Sequence, residues 1–146
     1  MAPSFSGADN IDIIVADDED DNLDVAEMSL TLAGFDEGKL VKVTSGDDAI
    51  DKVKELQSGD PDIPLVVLLD LNMPPGKSGS ECAIIIDGTE GYERKPMLVC
   101  CSAGKVSDIK AQSYAKHFAY FISKPFTPGL AEQLVPAIEE WVQANQ

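Results

Sequence analysis

A run of five apolar residues that ends in a single aspartate narrows the possible folds of this chain most strongly. Residues 65–69 read Leu-Val-Val-Leu-Leu, Asp70 follows directly, and Pro74 follows four residues later. An unbroken apolar run of this length is typical of a strand buried on both faces of a parallel sheet. Ligands of open α/β sheets lie beyond the carboxyl ends of the strands. The stretch therefore predicts Asp70 at the mouth of a site, with a helix-capping or turn aspartate as the simpler alternative.

Strand-like and helix-like segments alternate along the rest of the chain. β-Branched residues predict a strand over 11–16, and apolar residues at helical spacing predict a helix after it that stops at Gly34. Further strands are predicted over 40–44, 97–101 and 118–122, and further helices after the caps Ser45, Ser107 (ending near Lys116) and Thr127, with a kink at Pro136. Residues 82–86 have strand propensity, but the alternation demands a helix over 79–87. Such alternation predicts an α/β domain over residues 9–146, after a loose tail at residues 1–8.

The charge balance limits the classes of partner. The 146 residues include 26 acidic and 11 basic side chains, for a formal net charge of −15. Such a surface disfavours nucleic acid and anionic membranes and suits cations or basic partners, although solubility alone explains most of the charges. No apolar run approaches the roughly 20 residues of a membrane span. Three cysteines without metal or disulfide spacing indicate reduced, buried thiols in a cytoplasmic protein.

Polar residues follow four of the predicted strands. Asp17 and Asp18 follow the first, Asp70 ends the third, Ser102 follows the fourth and Lys124 follows the fifth. Parallel strands bring these positions to one edge of the sheet. Two carboxylates about 4 Å apart repel by roughly 4 kcal/mol, so either one of them takes up a proton or a cation relieves the repulsion. An all-oxygen donor set fits Mg²⁺ better than Zn²⁺. An ammonium and a hydroxyl beside them would hold an anion, which suits the transfer of a phosphoryl group onto Asp70.

The segments that carry these residues resemble the receiver domains of two-component response regulators, close to the single-domain chemotaxis type. The matching segments are residues 13–19, 68–74, 101–103 and 123–126, in that order. The resemblance implies a flavodoxin-like, doubly wound (βα)5 fold whose five parallel strands have the order 2-1-3-4-5. It also implies a cis peptide between Lys124 and Pro125.

The same resemblance implies a role for each site residue. Asp70 would be the phosphoacceptor, Ser102 the switch hydroxyl and Lys124 the partner of the phosphate. The metal Mg²⁺ would be bound directly by Asp18, through water by Asp17, and through the backbone carbonyl of Asn72, beside Asp70 itself. Phe121 takes the place of the switch aromatic. The complete set of assigned site residues is Asp17, Asp18, Asp70, Asn72, Ser102, Phe121 and Lys124.

The sequence departs from the receiver pattern at four places. Ala16 stands where larger aliphatic residues are usual, and the loop 75–79 is one residue longer than the commonest turn. Phe121 lacks the hydroxyl of the tyrosine often found there, and Pro136 alters the last helix. The loop bears on the lifetime of a phosphorylated state, because it lies beside the acceptor.

The resemblance implies a Mg²⁺-dependent phosphoaspartate switch in a phosphorelay. Its donor would be a phosphohistidine on a histidine kinase or histidine phosphotransfer protein. Its output would be an unidentified downstream protein, or the domain would serve as a phosphoryl sink. Such a domain is no enzyme beyond catalysing its own phosphorylation and dephosphorylation. A receiver-like adaptor that works without phosphorylation is the alternative. A Mg²⁺-dependent phosphatase with an aspartate nucleophile is disfavoured, because Asn72 stands where such enzymes carry an acid–base aspartate.

Overall fold

A five-stranded parallel sheet with helices on both faces forms the computed structural model, which describes residues 7–74 and 76–145. The strands are β1 (Asp12–Ala16), β2 (Leu40–Val43), β3 (Leu65–Asp70), β4 (Met97–Ser102) and β5 (Tyr120–Ser123). The helices are α1 (Asp20–Leu32), α2 (Gly46–Leu56), α3 (Gly79–Gly88), α4 (Val106–Lys110) and α5 (Pro128–Ala144), with 3₁₀ turns at Ala8–Asn10, Glu37–Lys39 and Ser113–His117. The strand order β2-β1-β3-β4-β5 confirms the predicted flavodoxin-like topology.

Alternating side chains of the strands build one core on each face of the sheet. On β1, Ile13 and Val15 pack with residues of α1 and α5, whereas Ile14 and Ala16 pack with residues of α2 and α3. Every residue of β3 is buried, as expected for a central strand covered on both faces. The last residue of β3, Asp70, is thereby held in a fixed position.

The predicted tail and domain boundary are only partly within the described residues. Residues 1–6 lie outside them. Ala8 opens a 3₁₀ turn and packs against the core that α1 and α5 cover. The boundary between residues 8 and 9 stays a prediction.

Helix α3 confirms the choice of helix over strand for residues 79–87. Its start is a capping box, in which Ser78 Oγ accepts from the Glu81 amide and Glu81 accepts from the Ser78 amide. Burial follows a helical period, since Cys82 and Ile86 are buried while Ile84 is 47% exposed. Packing and capping therefore outweigh the strand propensity of the isoleucines.

The predicted fourth helix is wrong in extent and in its cap. Helix α4 covers only Val106–Lys110, starts after Lys105 without a side-chain cap, and is followed by the 3₁₀ turn Ser113–His117. Ile109 and Ala115 are both buried, but a continuous α-helix would place them on different faces. A break with a tighter turn brings both inward. Strand β5 accordingly begins at Tyr120 rather than at residue 118.

Helix α5 begins as the sequence predicts and continues past its proline. Thr127 Oγ1 accepts from the Leu130 amide, and Pro128 is the first helical residue. Pro136 lies inside the helix without ending it, and the kink expected there stays a prediction. The buried residues Ala131, Leu134, Ile138 and Val142 keep one face on both sides of it.

Arg94 joins the elements at the amino edge of the sheet. It is 5% exposed, and its Nη2 lies 2.8 Å from Asp12 Oδ2. Its Nε donates to Leu56 O at 2.9 Å and its Nη1 to Ile63 O at 2.8 Å. The guanidinium thus ties the end of α2 to the starts of β1 and β3, opposite the edge where Asp70 lies.

Two further expectations concern the cysteines and membrane spans. Cys82, Cys100 and Cys101 are free and buried, and burial raises the pKa of the first thiol to about 11 and of the second to about 12. They are protonated packing residues at neutral pH. Within the ranges 7–74 and 76–145, no helix is long and apolar enough to cross a bilayer.

Candidate functional site

Three carboxylates converge at the carboxyl edge of the sheet. Asp17 and Asp18 follow β1, and Asp70 ends the neighbouring strand β3. One oxygen from each of the three lies within 4.8 Å of the others. Asp17 is 4% and Asp70 8% exposed, whereas Asp18 faces solvent. Two buried carboxylates and one open to water form a pocket of concentrated negative charge.

Lys124 is the cation that faces this pocket. Its Nζ lies 2.5 Å from Asp17 Oδ2 and 3.1 Å from Asp70 Oδ2. The residue follows β5, where its amide donates to Ser102 O at 2.8 Å and its peptide bond to Pro125 is cis. Burial by itself would lower the pKa of Lys124, but the hydrogen bonds to both carboxylates raise it above the ordinary value. The ammonium is therefore charged at neutral pH.

Asp70 experiences opposing effects. Burial raises the pKa of its carboxyl above the usual value, and the charge of Asp17 adds to this. The Asn72 amide, which donates to Asp70 Oδ1 at 3.2 Å, and the Lys124 ammonium act in the other direction. A partly desolvated carboxylate with a fixed direction is a suitable nucleophile or metal ligand.

Gly79, the first residue of α3, packs against the backbone of Asp70 and Leu71. Sequence reasoning did not single it out. Its amide donates to Leu71 O at 3.1 Å, which brings the start of α3 onto the end of β3. A Cβ at this position would lie 2.1 Å from the Asp70 carbonyl oxygen, so only glycine fits. The signal available in the sequence was its place directly after the capping residue Ser78.

Asn22 is a second neighbour that sequence reasoning missed. Its Nδ2 donates to Asp17 Oδ1 at 3.3 Å, and the Glu19 amide donates to the same oxygen at 3.0 Å. With Lys124 on the other oxygen, Asp17 is held by three donors. The first turn of α1 thereby orients this carboxylate, which explains why it tolerates burial.

Ser102 and Phe121 lie on the adjacent strands β4 and β5. Ser102 ends β4 half-buried, and its Oγ accepts from the Gly104 amide at 3.1 Å. Phe121 lies on β5, half-buried, with its ring centroid 6.0 Å from that of Phe118 and 5.4 Å from Lys110 Nζ. The predicted switch pair is thus placed on neighbouring strands, and its switching role stays a prediction.

The longer loop after Asp70 is anchored to α2. Pro75 lies outside the described residues. Lys77 Nζ lies 2.7 Å from Asp47 Oδ1 in the first turn of α2. A Cβ on Gly46 would lie 2.6 Å from the Lys77 carbonyl oxygen, so the loop rests directly on the start of that helix.

The donor set fits a hard divalent cation. All three side-chain donors are carboxylate oxygens, they lie close enough to share one ion, and Asp18 leaves the position open to water. Mg²⁺ prefers this chemistry, with few carboxylates and several retained waters. Asn72 stands at the same edge, two residues after Asp70, and is exposed.

Comparisons with known proteins agree with this architecture. The family model of the response regulator receiver domain matches residues 13–138. A two-component response regulator from Cytophaga hutchinsonii superposes with TM-score 0.70 at 22% identity, covering 90% of this chain and 96% of that one. A CheY-like receiver domain protein from Methanospirillum hungatei JF-1 superposes with TM-score 0.67 at 23% identity, covering 92% and 98%. A receiver domain protein from Clostridium thermocellum gives TM-score 0.69 at 20% identity, covering 92% and 95%.

A comparison with curated protein sequences found no match. The solved structures share the fold at low identity, and the family match covers most of the chain. With the parallel sheet in the order 2-1-3-4-5 and the acidic cluster at its carboxyl edge, the chain belongs to the receiver-domain family of two-component response regulators.

Proposed function

We propose that Asp70 accepts a phosphoryl group from a phosphohistidine, in a Mg²⁺-dependent reaction that changes how the domain binds a downstream protein. The donor would be a histidine kinase or a histidine phosphotransfer protein. One observation carries the proposal. The buried Asp70 carboxylate faces the Lys124 ammonium at 3.1 Å and shares a cluster within 4.8 Å with Asp17 and Asp18.

The transfer needs an ionised, well-aimed Asp70. A carboxylate oxygen attacks phosphorus, the phosphorus–nitrogen bond of the donor breaks, and the electron pair returns to the imidazole. Lys124 and the Asn72 amide favour the ionised carboxylate against burial, which acts to raise its pKa. Helix α3, seated through Gly79 on the Asp70 backbone, keeps the carboxylate in place. Mg²⁺ held by Asp17, Asp18 and Asp70, with the Asn72 carbonyl, would neutralise charge on the carboxylates and the phosphoryl oxygens.

The phosphorylated state would be held by residues already at the edge of the sheet. The phosphoryl group adds about two negative charges and three acceptor oxygens. Lys124 can form an ion pair with one oxygen, and Ser102 can donate its hydroxyl proton to another. Movement of Ser102 toward the phosphoryl group would free space for Phe121 to turn inward. Such couplings are typically worth about 1–3 kcal/mol, so the modification would shift an existing equilibrium.

A small phosphodonor tests the acceptor directly. The protein is incubated with phosphoramidate with and without Mg²⁺, and its intact mass is measured. We expect the gain of one phosphoryl group that requires Mg²⁺ and is lost in Asp70→Asn. Asp51→Asn, which removes an exposed carboxylate from α2, is the matched control and keeps the gain. Phosphorylation that survives in Asp70→Asn would contradict the assignment.

The same experiment separates the alternatives. No mass gain in the wild-type protein favours an adaptor that works without phosphorylation. Continuous phosphate release from unrelated phosphoesters favours a phosphatase, which the Asn72 position opposes. Co-purification from cell extract, with and without beryllium fluoride, then identifies partners that bind only the activated form.

A further inference from the structure

A cavity of about 380 Å³ opens beside the acidic pocket, on the side of the sheet that α1 and α5 cover. Its polar lining consists of Asp17, Asn22 and Lys124, which contact one another at the edge of the carboxylate cluster. The rest of the lining is apolar and includes Leu68 and Phe126. The volume is that of a small-molecule site, and Asp70 is not among the residues that line it.

A small side chain on α1 leaves this space open. Ala26 lines it with a single methyl group. This residue is buried, at 5% exposed, so the space reaches into the body of the domain. Val25, 38% exposed, stands at the solvent side. The cavity therefore has an apolar interior, an opening beside α1 and a polar end at Asp17.

The charge at the polar end selects the ligand. One oxygen from each of Asp17, Asp18 and Asp70 lies within 4.8 Å of the others, and Lys124 pairs with Asp17 and Asp70. Three formal negative charges against one positive charge leave this end of the cavity net negative. The first turn of α1 adds Asp20 and Asp21. An anionic head group would be repelled here, whereas an ammonium group would be attracted.

We propose that this cavity binds a small amphiphilic cation. Its apolar body, an aromatic ring or a branched aliphatic group, lies between Val15, Leu68 and Phe126. Its ammonium group lies against Asp17 at the polar end. Because Asp17 also belongs to the carboxylate cluster, an ammonium group there disfavours a divalent cation in the cluster, and each weakens the binding of the other.

Benzylamine is a suitable probe because it joins one ring to one ammonium group. Binding is measured by ¹H–¹⁵N chemical shifts in buffer without Mg²⁺ or phosphodonor, so the result does not depend on the proposed phosphorylation. We expect shifts concentrated at the amides of residues 15, 25, 26, 103 and 126. Benzyl alcohol, of the same shape but neutral, is expected to bind at least tenfold more weakly.

Two variants test the location. Ala26→Leu fills the cavity, and we expect it to weaken benzylamine binding at least tenfold. Val25→Lys puts a cation at the half-exposed opening, where the fold tolerates it, and is expected to weaken binding as strongly. Met28→Lys is the matched control, since it adds the same charge to the same helix at an exposed position outside the lining. It should leave binding within twofold of the wild type.

Three results would overturn the proposal. They are absence of benzylamine binding to the wild-type protein, binding that Ala26→Leu and Val25→Lys both leave unchanged, and equal binding of benzyl alcohol. A cavity that takes only an apolar side chain of a protein partner would give the first of these. In a second measurement, saturating benzylamine should raise the apparent Kd for Mg²⁺ severalfold in the wild type and not in Ala26→Leu. A Kd for Mg²⁺ that benzylamine leaves unchanged in the wild type would overturn the coupling.

Discussion

Gly79→Ala is expected to destabilise the domain and displace Asp70. The added Cβ would lie 2.1 Å from Asp70 O, 2.8 Å from Asp70 C and 3.0 Å from Leu71 Cα, against 3.4–4 Å for ordinary contact. All three neighbours are backbone atoms at the end of a central strand, so no side chain can move aside. The start of α3 or the end of β3 must therefore shift by about 1 Å, because close-packed interiors leave no free space.

The size of the effect follows from overpacking. Forcing extra atoms into a packed region costs about 1–3 kcal/mol, and rigid backbone neighbours favour the upper part of that range. The intrinsic gain of alanine over glycine in a helix offsets about 0.5–1 kcal/mol. The net loss is about 2 kcal/mol, which for a domain of this size lowers Tm by roughly 6 °C.

Gly88→Ala is the matched control on the same helix. Gly88 ends α3, an added Cβ there would have no heavy atom within 4 Å, and its φ is not positive. Alanine at this position should be neutral or stabilise by about 0.4–1 kcal/mol. Urea unfolding followed by circular dichroism measures both variants, and Mg²⁺ titration measures the site. The reasoning is refuted if Gly79→Ala is as stable as Gly88→Ala and binds Mg²⁺ equally well.

Three more perturbations have defined outcomes. Lys124→Met leaves the buried Asp17 and Asp70 without their cation and should lower the free energy of unfolding by about 3 kcal/mol in EDTA, with part of the loss recovered in Mg²⁺. A variant whose urea midpoint equals that of the wild type both in EDTA and in Mg²⁺ would contradict this prediction. Arg94→Met leaves Asp12 and the carbonyls of Leu56 and Ile63 without their hydrogen-bond donor and should lower the free energy of unfolding by about 3 kcal/mol. Phosphorylation per folded molecule should stay unchanged, because Arg94 lies at the edge of the sheet opposite Asp70. Burial would raise the pKa of Asp87, but hydrogen bonds from His117 and Lys95 lower it below its usual 3.8. The ionised carboxylate therefore stabilises the folded protein above that pH, and this stabilisation is lost as the pH falls through the pKa of the folded state. Asp87→Asn should therefore be less stable than wild type by about 0.5–1 kcal/mol at pH 6 and equal to it in strong acid, as measured by urea unfolding across pH.

The order of elements and the position of Asp70 could be predicted from local sequence. The apolar run 65–69 predicts a strand buried on both faces, and the alternation of strand and helix segments predicts parallel strands joined by crossover helices. In a parallel sheet, these two facts already bring Asp17, Asp18, Asp70, Ser102 and Lys124 to one edge. The helix caps at Ser45 and Thr127 could be predicted equally well, because a capping side chain accepts its hydrogen bond from an amide in the first turn of the same helix.

Contacts between distant segments could not be read in this way. Local propensity favoured a strand at 82–86 and a single helix over 107–116, whereas packing decided for a helix in the first case and a broken one in the second. The requirement for glycine at position 79 arises from the carbonyl of residue 70, and the clamp of Arg94 from carbonyls more than 30 residues away. These are properties of atoms brought together by folding.

The amino-acid sequence alone was enough to predict the sheet and the edge at which the acidic residues meet. Hydrophobic periodicity, the burial it implies and the ends of strands all depend on short segments of the chain. The strand order came through the family resemblance. Only the folded structure shows which groups orient Asp70 and that a cavity lies beside Asp17. Distances between side chains on α1, β3 and β5 depend on how the helices pack on the sheet, and the small side chain at position 26 leaves empty space only once its neighbours are in place.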